Sequence, residues 1–171
     1  MNARARFEAE VMRHLDAAFN LARWLARNDA DAQDVTQEAM LRAFRYFEGF
    51  RGGDARVWLL TIVRNTFYSM RSGAPREHLL EDFKETVQQR PDEDTPDPEA
   101  LLLRAADARA VRQALETLPS EYREVLVLRE FEECSYKEIA AITQLKIGTV
   151  MSRLARGRER LAAALTAEAS P

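Results

Sequence analysis

The residues best equipped for chemistry in this 171-residue chain are cationic and lie near its end. Between 146 and 160, Lys146, Arg153, Arg156, Arg158 and Arg160 stand against Glu159 alone, with Thr149 and Ser152 interspersed. Guanidinium groups fork onto phosphate oxygens and onto the paired acceptors of guanine, and small hydroxyls reach base edges. Arginine accounts for all basic residues except Lys84, Lys137 and Lys146. Phosphate chemistry and a G·C-rich coding sequence both explain that bias, and the second is the simpler account. A second concentration is FEGFRGGD at 47–54, where Gly49, Gly52 and Gly53 forbid a continuing helix and free the backbone beside aromatic and basic side chains. Catalytic patterns are missing. His14 and His78 lie far apart without metal-ligand spacing, and neither a phosphate-binding glycine loop nor a nucleophile elbow occurs. Glu132 and Glu133 read as solvated carboxylates. Cys134 reads as a small half-buried residue, with a redox sensor as the alternative. No catalysis, metal site or cofactor is expected.

These groups need helices to hold them. Apolar residues recur at steps of three and four almost throughout, and no alternation long enough for a sheet appears, so the chain is expected to be all-α. Phe7, Val11, Leu15, Ala18, Leu21, Ala22 and Leu25 predict one helix from Phe7 to Arg27. A second is expected from near Asp31 to Gly49, with Val35, Ala39, Leu41, Phe44 and Phe47 inward. A third, about Asp54 to Met70, buries Val57, Leu60, Ile62, Val63 and Phe67 and stops before Ser72-Gly73. Helix is expected again from Asp97 and Pro98 to Leu118, then from Ser120 to Phe131 around Tyr122, Val125, Leu126 and Leu128. Ser135 and Glu138 form a capping box that opens a short helix with Ile139, Ala140 and Ile142 inward. A turn at Thr143 to Lys146 leads into a longer helix, Ile147 to about Leu165, with Ile147, Val150, Leu154, Leu161 and Leu165 on its apolar side. Short helix, tight turn and longer basic helix make a helix-turn-helix. Its first helix buttresses the second, which then lies in a major groove.

Charge divides the chain into the same blocks. The net charge of −3 resolves into +3 over residues 1–76, −6 over 77–106 and zero over 107–171. The acidic stretch contains QQRPDEDTPDP, too polar to join a core, and reads as a flexible linker. Two small helical domains are therefore expected, at 1–76 and 98–171, joined by an acidic linker at 77–97, the second domain carrying the helix-turn-helix. Apolar runs stay near five residues, far below the ~20 that span a bilayer, and the N-terminus does not read as a signal peptide. Membrane insertion is not expected, and a cytoplasmic location is.

Residues 118–161, LPSEYREVLVLREFEECSYKEIAAITQLKIGTVMSRLARGRERL, resemble the promoter-reading domain of bacterial RNA polymerase sigma factors in their extracytoplasmic-function branch. Residues 31–65, DAQDVTQEAMLRAFRYFEGFRGGDARVWLLTIVRN, resemble the same family's core-binding and promoter-melting domain. The resemblance implies that Asp34, Gln37, Glu38 and Arg42 meet the clamp coiled coil of core RNA polymerase. It implies that the 47–54 loop and the third helix hold the melted minus-ten element, with Phe50, Arg51, Arg56, Thr61, Arg64, Asn65, Tyr68 and Arg71 as strand contacts. A base taken out of the stack would sit in that loop, its edge on backbone groups and its faces on aromatic and Arg side chains. Trp58, Phe44 and Phe67 read as core rather than stacking platforms. Lys146, Thr149, Ser152, Arg153, Arg156 and Arg160 would approach the minus-thirty-five element as duplex, Arg153 at a base edge and Arg156 and Arg160 at phosphates. Promoter DNA and core polymerase are the implied partners, with an anti-sigma factor as the controlling one. Glu133 and Gln144 stand where the family often has glycine, so a left-handed backbone there would cost ~1 kcal/mol more than glycine. A helix-turn-helix regulator with a separate effector domain, or a helical adaptor, would explain the basic face but not the 47–54 loop.

Overall fold

The computed structural model describes residues 2–72 and 107–169. The expected linker at 77–97, the expected helix start at Asp97 and Pro98, and His78 lie outside them. All regular structure among the described residues is helical. The first set comprises α1 (Ala3–Glu10), a 3-10 turn at Met12–His14, α2 (Leu15–Ala26), α3 (Asp29–Tyr46), a second 3-10 turn at Phe47–Gly49, and α4 (Ala55–Ser72). The second comprises α5 (Ala108–Glu116), α6 (Ser120–Glu130), α7 (Tyr136–Thr143) and α8 (Ile147–Ala169).

Caps place most of the boundaries. Asn2 accepts the Ala5 N–H at 2.8 Å and starts α1. Asn28 accepts the Asp31 N–H at 2.8 Å, and Asp29 and Asp31 lie in the first turn of α3, where negative charge meets the positive end of the helix dipole. This cap starts α3 two residues earlier than the apolar pattern does. Gly52 and Gly53 adopt φ of 94° and 88°, and Asp54 then accepts the Val57 N–H at 3.1 Å to open α4. The expected single helix from Phe7 to Arg27 is two helices. A three-residue step is common to α-helical and 3-10 winding, so the stripe continues from Phe7 and Val11 to Leu21 and Leu25 across the turn without recording it.

Helix α4 is the centre of the first set, with Val57, Leu59, Leu60, Ile62 and Val63 fully buried. Each such side chain contributes roughly 1.5–3 kcal/mol relative to exposure. In the second set, Val125, Leu126, Leu128, Ile139, Ile142, Val150 and Leu154 form the core. Gly157 lets α8 approach α6: a Cβ there would stand 3.1 Å from Leu126 Cδ1. Several residues expected inward are outward. Leu41 is 62% and Phe44 52% exposed, and Leu15 and Ile147 are exposed as well. Phe44 therefore is not the buried ring the sequence predicts, although its edge meets Phe7 at 5.2 Å.

The two sets also pack on each other. Trp24 of α2 stacks on Phe131 at 5.6 Å between centroids, and Arg123 of α6 donates to the Trp24 carbonyl at 2.9 Å and the Leu118 carbonyl at 2.7 Å. Helices α2 and α4 are the elements of the first set that meet α6 and α7.

Candidate nucleic-acid and polymerase interfaces

The helix-turn-helix is built as its capping box predicts. Ser135 Oγ accepts the Glu138 N–H at 3.1 Å, and Glu138 Oε1 accepts the Ser135 N–H at 2.7 Å. Gln144, at φ 60°, ends α7 in the left-handed region, and Glu133, at φ 54°, precedes it in the same conformation. Both positions lack the glycine that makes this conformation cheap, as expected. Lys146, Thr149, Arg153, Arg156 and Arg160 then follow steps of three and four along α8. Lys146, Ser152, Arg156 and Arg160 are exposed, and Thr149 and Arg153 are half-buried. Arg160 lies over the Tyr122 ring at 4.7 Å, and Arg153 comes within 3.9 Å of Glu121. Arg158 leaves this face, because it is buried against Glu130 at 3.3 Å. Sequence reading missed Met151, which is 51% exposed beside Ser152. Its position, two residues past Thr149 and two before Arg153, is the signal that could have placed it near this stripe.

On α3, Asp34 and Gln37 are exposed and Glu38 is half-buried. Arg42 is a correction to the expected surface: it is 9% exposed, held by Glu38 at 3.1 Å and donating to Ser69 Oγ of α4 at 3.3 Å. Leu41 and Phe44 take its place outward. Asp34, Gln37, Leu41 and Phe44 fall at steps of three, four and three, so one face of α3 offers two polar groups followed by two apolar ones.

The residues expected at the minus-ten element divide. Arg51 and Arg71 are exposed. Phe50 is buried, its ring 4.9 Å from Trp58 and 6.0 Å from Phe47, so it belongs to the core that shapes the loop rather than to an open contact face. Trp58 and Phe67 are core, as expected. Thr61 is buried and donates to the Val57 carbonyl at 2.8 Å. Asn65 is 3% exposed, and neither of its side-chain polar atoms has a hydrogen-bond partner. Arg56, Arg64 and Tyr68 are half-buried and meet acids of the second helical set. Arg64 forks onto Glu124 at 3.0 and 3.1 Å, and Tyr68 donates to the same carboxylate at 3.2 Å. Burial first and Glu124 second push the Tyr68 phenol above its ordinary value. Arg56 donates to the Glu132 carbonyl oxygen and lies 3.7 Å from its carboxylate, which also accepts Asn20 Nδ2 at 2.8 Å.

A cleft of about 580 Å³ opens between the sets, lined among others by Leu25, Asp34, Phe67, Met70, Arg71 and Arg123. Cys134 is fully buried, and burial pushes its thiol up to about 12, which removes the reactive thiolate a redox sensor needs. No group of His, Cys, Asp and Glu among the described residues is arranged to hold a metal ion, and no described helix is long and apolar enough to cross a membrane.

Residues 11–76 match the family model for Sigma-70 region 2, and residues 108–161 that for Sigma-70, region 4. The ECF RNA polymerase sigma factor SigE of Mycolicibacterium smegmatis is 39% identical over 154 residues, covering 88% of this chain and 58% of that protein. The RNA polymerase sigma-H factor of Pseudomonas aeruginosa is 34% identical over 165 residues, covering 93% of this chain and 86% of its own. The ECF RNA polymerase sigma-E factor of Haemophilus influenzae is 36% identical over 149 residues, covering 82% of this chain and 77% of its own. The chain belongs to the ECF sigma factors of RNA polymerase. Its region 2 is thus the α2–α4 assembly and its region 4 the α5–α8 assembly. The sigma factor RpoE of Bartonella quintana, solved in complex with the anti-sigma factor NepR, superposes on it with a TM-score of 0.69 at 30% identity, covering 94% of this chain and 97% of that one.

Proposed function

We propose that this sigma factor binds core RNA polymerase through region 2, opens the minus-ten region there, and reads the minus-thirty-five element as duplex through α8. In this reading it acts in the cytoplasm, catalyses nothing itself, and lends polymerase its promoter specificity. The exposed basic stripe of α8, held by a doubly satisfied capping box, is the observation that carries it. The first helix of the motif fixes the angle of the second. Arg153 approaches a base edge, and Arg156 and Arg160 set register on phosphates. The Asp34, Gln37 and Leu41 face of α3 meets the polymerase clamp, with Glu38 beside it. Arg42 acts behind that face by tying α3 to α4. Arg51, Arg56, Arg64, Asn65, Tyr68 and Arg71 then take the melted strand around a loop whose shape Phe50 and Trp58 fix, with Thr61 supporting α4 from within. An anti-sigma factor is the proposed controlling partner, supported by the likeness to RpoE in its complex with NepR.

The deciding experiment mixes the purified chain with core polymerase and scores promoter-specific run-off transcription on a genomic fragment library. Promoter-specific transcripts are expected only with both components present. Binding a palindromic operator as a dimer, with no effect on polymerase, would establish a conventional repressor or activator instead.

A further inference from the structure

Three neighbouring rows of side chains, each at steps of four, run along the first turns of α8. The central row, Gly148, Ser152, Arg156 and Arg160, is exposed throughout. On one flank Thr149 and Arg153 are half-buried, Arg153 lying within 3.9 Å of Glu121. On the other flank Ile147, Met151 and Ala155 are all exposed, Ile147 by 41% and Met151 by 51%. The more open flank of this basic helix is therefore apolar. Gly148 adds a second observation. It lies in ordinary helical backbone, where alanine would favour the helix, and a Cβ built on it would meet no atom of the chain within 4 Å. Gly157, by contrast, is needed for the approach of α6. The fold gives Gly148 no such use, and the gap it leaves faces outward. Side chains on a helix lean toward its N-terminus, so Met151, three residues on, borders that gap. Ser152 Oγ donates to the Gly148 carbonyl at 3.1 Å, which leaves its lone pairs for an outside donor.

The one apolar group that the base edges of a duplex display in the major groove is the 5-methyl of thymine, and a T·A pair sets it on the same edge as the adenine amino donor. We infer that Met151, with Ile147 and Ala155 beside it, is a specificity-determining residue that reads the methyl group of a thymine in the minus-thirty-five element, and that Gly148 lets α8 come close enough for the contact. Arg156 and Arg160 hold the register on phosphates, Ser152 accepts from an amino group, and the apolar row rejects cytosine, which brings no methyl. This inference rests on the reading of α8 as the duplex-binding helix.

The test uses the holoenzyme, the full chain with core polymerase, on a promoter recovered from the run-off assay, with binding measured by competition. Each thymine of the minus-thirty-five element is replaced in turn by uracil, which removes the methyl and leaves every hydrogen-bonding group in place. With the wild-type chain one such replacement should weaken binding about fourfold, the size expected for one buried methyl. In Met151→Ala holoenzyme the same uracil should change binding by less than about 1.5-fold, and Met151→Leu should restore the response. Gly148→Ala should bind the promoter several-fold more weakly although its urea midpoint is no lower. Indifference of the wild-type holoenzyme to uracil at every position, a uracil effect that survives Met151→Ala, or full affinity in Gly148→Ala overturns the inference alone, provided that replacing the whole element still weakens binding. If replacing the whole element changes nothing, the functional reading beneath it falls as well.

Discussion

Replacing Ser135 by Ala removes one half of the capping box that orients α7 and, through the turn, α8. An exposed N-cap deletion costs about 1 kcal/mol. Here both Ser135 and Glu138 are 3% exposed, so the Glu138 N–H freed at 3.1 Å from the lost Oγ has no water to take its place. Leaving a buried donor unsatisfied adds about 1–3 kcal/mol, which brings the expected cost to roughly 2–4 kcal/mol. Asn28→Ala is the internal control. Its cap to Asp31 N–H has nearly the same geometry at 2.8 Å but lies in solvent, so it should cost only about 1 kcal/mol. Urea denaturation followed by far-ultraviolet circular dichroism gives both values, and duplex anisotropy reports whether α8 keeps its orientation. A Ser135→Ala cost below about 0.5 kcal/mol, or one no larger than that of Asn28→Ala, would refute the burial argument.

Gln144→Gly should raise stability by about 1 kcal/mol in the same titration, because glycine adopts the left-handed region at φ 60° without the side-chain penalty. Arg153→Ala should cost ~1–3 kcal/mol of discrimination between minus-thirty-five sequences in competition binding, while Arg156→Ala should weaken all sequences alike and lower the salt slope by about one. Cys134 should resist a thiol reagent in the native state at pH 8 and react once urea unfolds the chain. Its thiol, raised from 9.0 to about 12, contributes stability that is complete below pH 9 and is lost as the pH climbs toward 12. Cys134→Ala should flatten that alkaline limb of a stability-against-pH profile.

How much of this was readable beforehand follows from the range over which each signal acts. The capping box at Ser135 and Glu138 was legible because its partners are three residues apart, and the left-handed backbone at Glu133 and Gln144 because the family expects glycine there. The basic stripe of α8 was legible because helical steps put its residues on one face whatever they pack against. Arg158 and Arg42 were misplaced for the opposite reason. Periodicity puts Arg158 near the stripe and Arg42 on a helix surface, but Glu130, 28 residues away, and Ser69, 27 residues away, draw them inward. Leu41 and Phe44 fit the apolar pattern of α3 and are nonetheless exposed, since among the described residues the helices packed on α3 leave that face mostly open, Phe7 of α1 reaching only the edge of the Phe44 ring.

Local sequence therefore settled which segments are helical, where several of them are capped, and which basic residues share one face of α8, because these depend on interactions within a few residues. Only tertiary structure decided that Arg56, Arg64 and Tyr68 are held by Glu124 and Glu132. Those partners lie 56 to 76 residues apart in the chain, and a charge pattern names the candidates for an ion pair without saying which helix will bring them within reach.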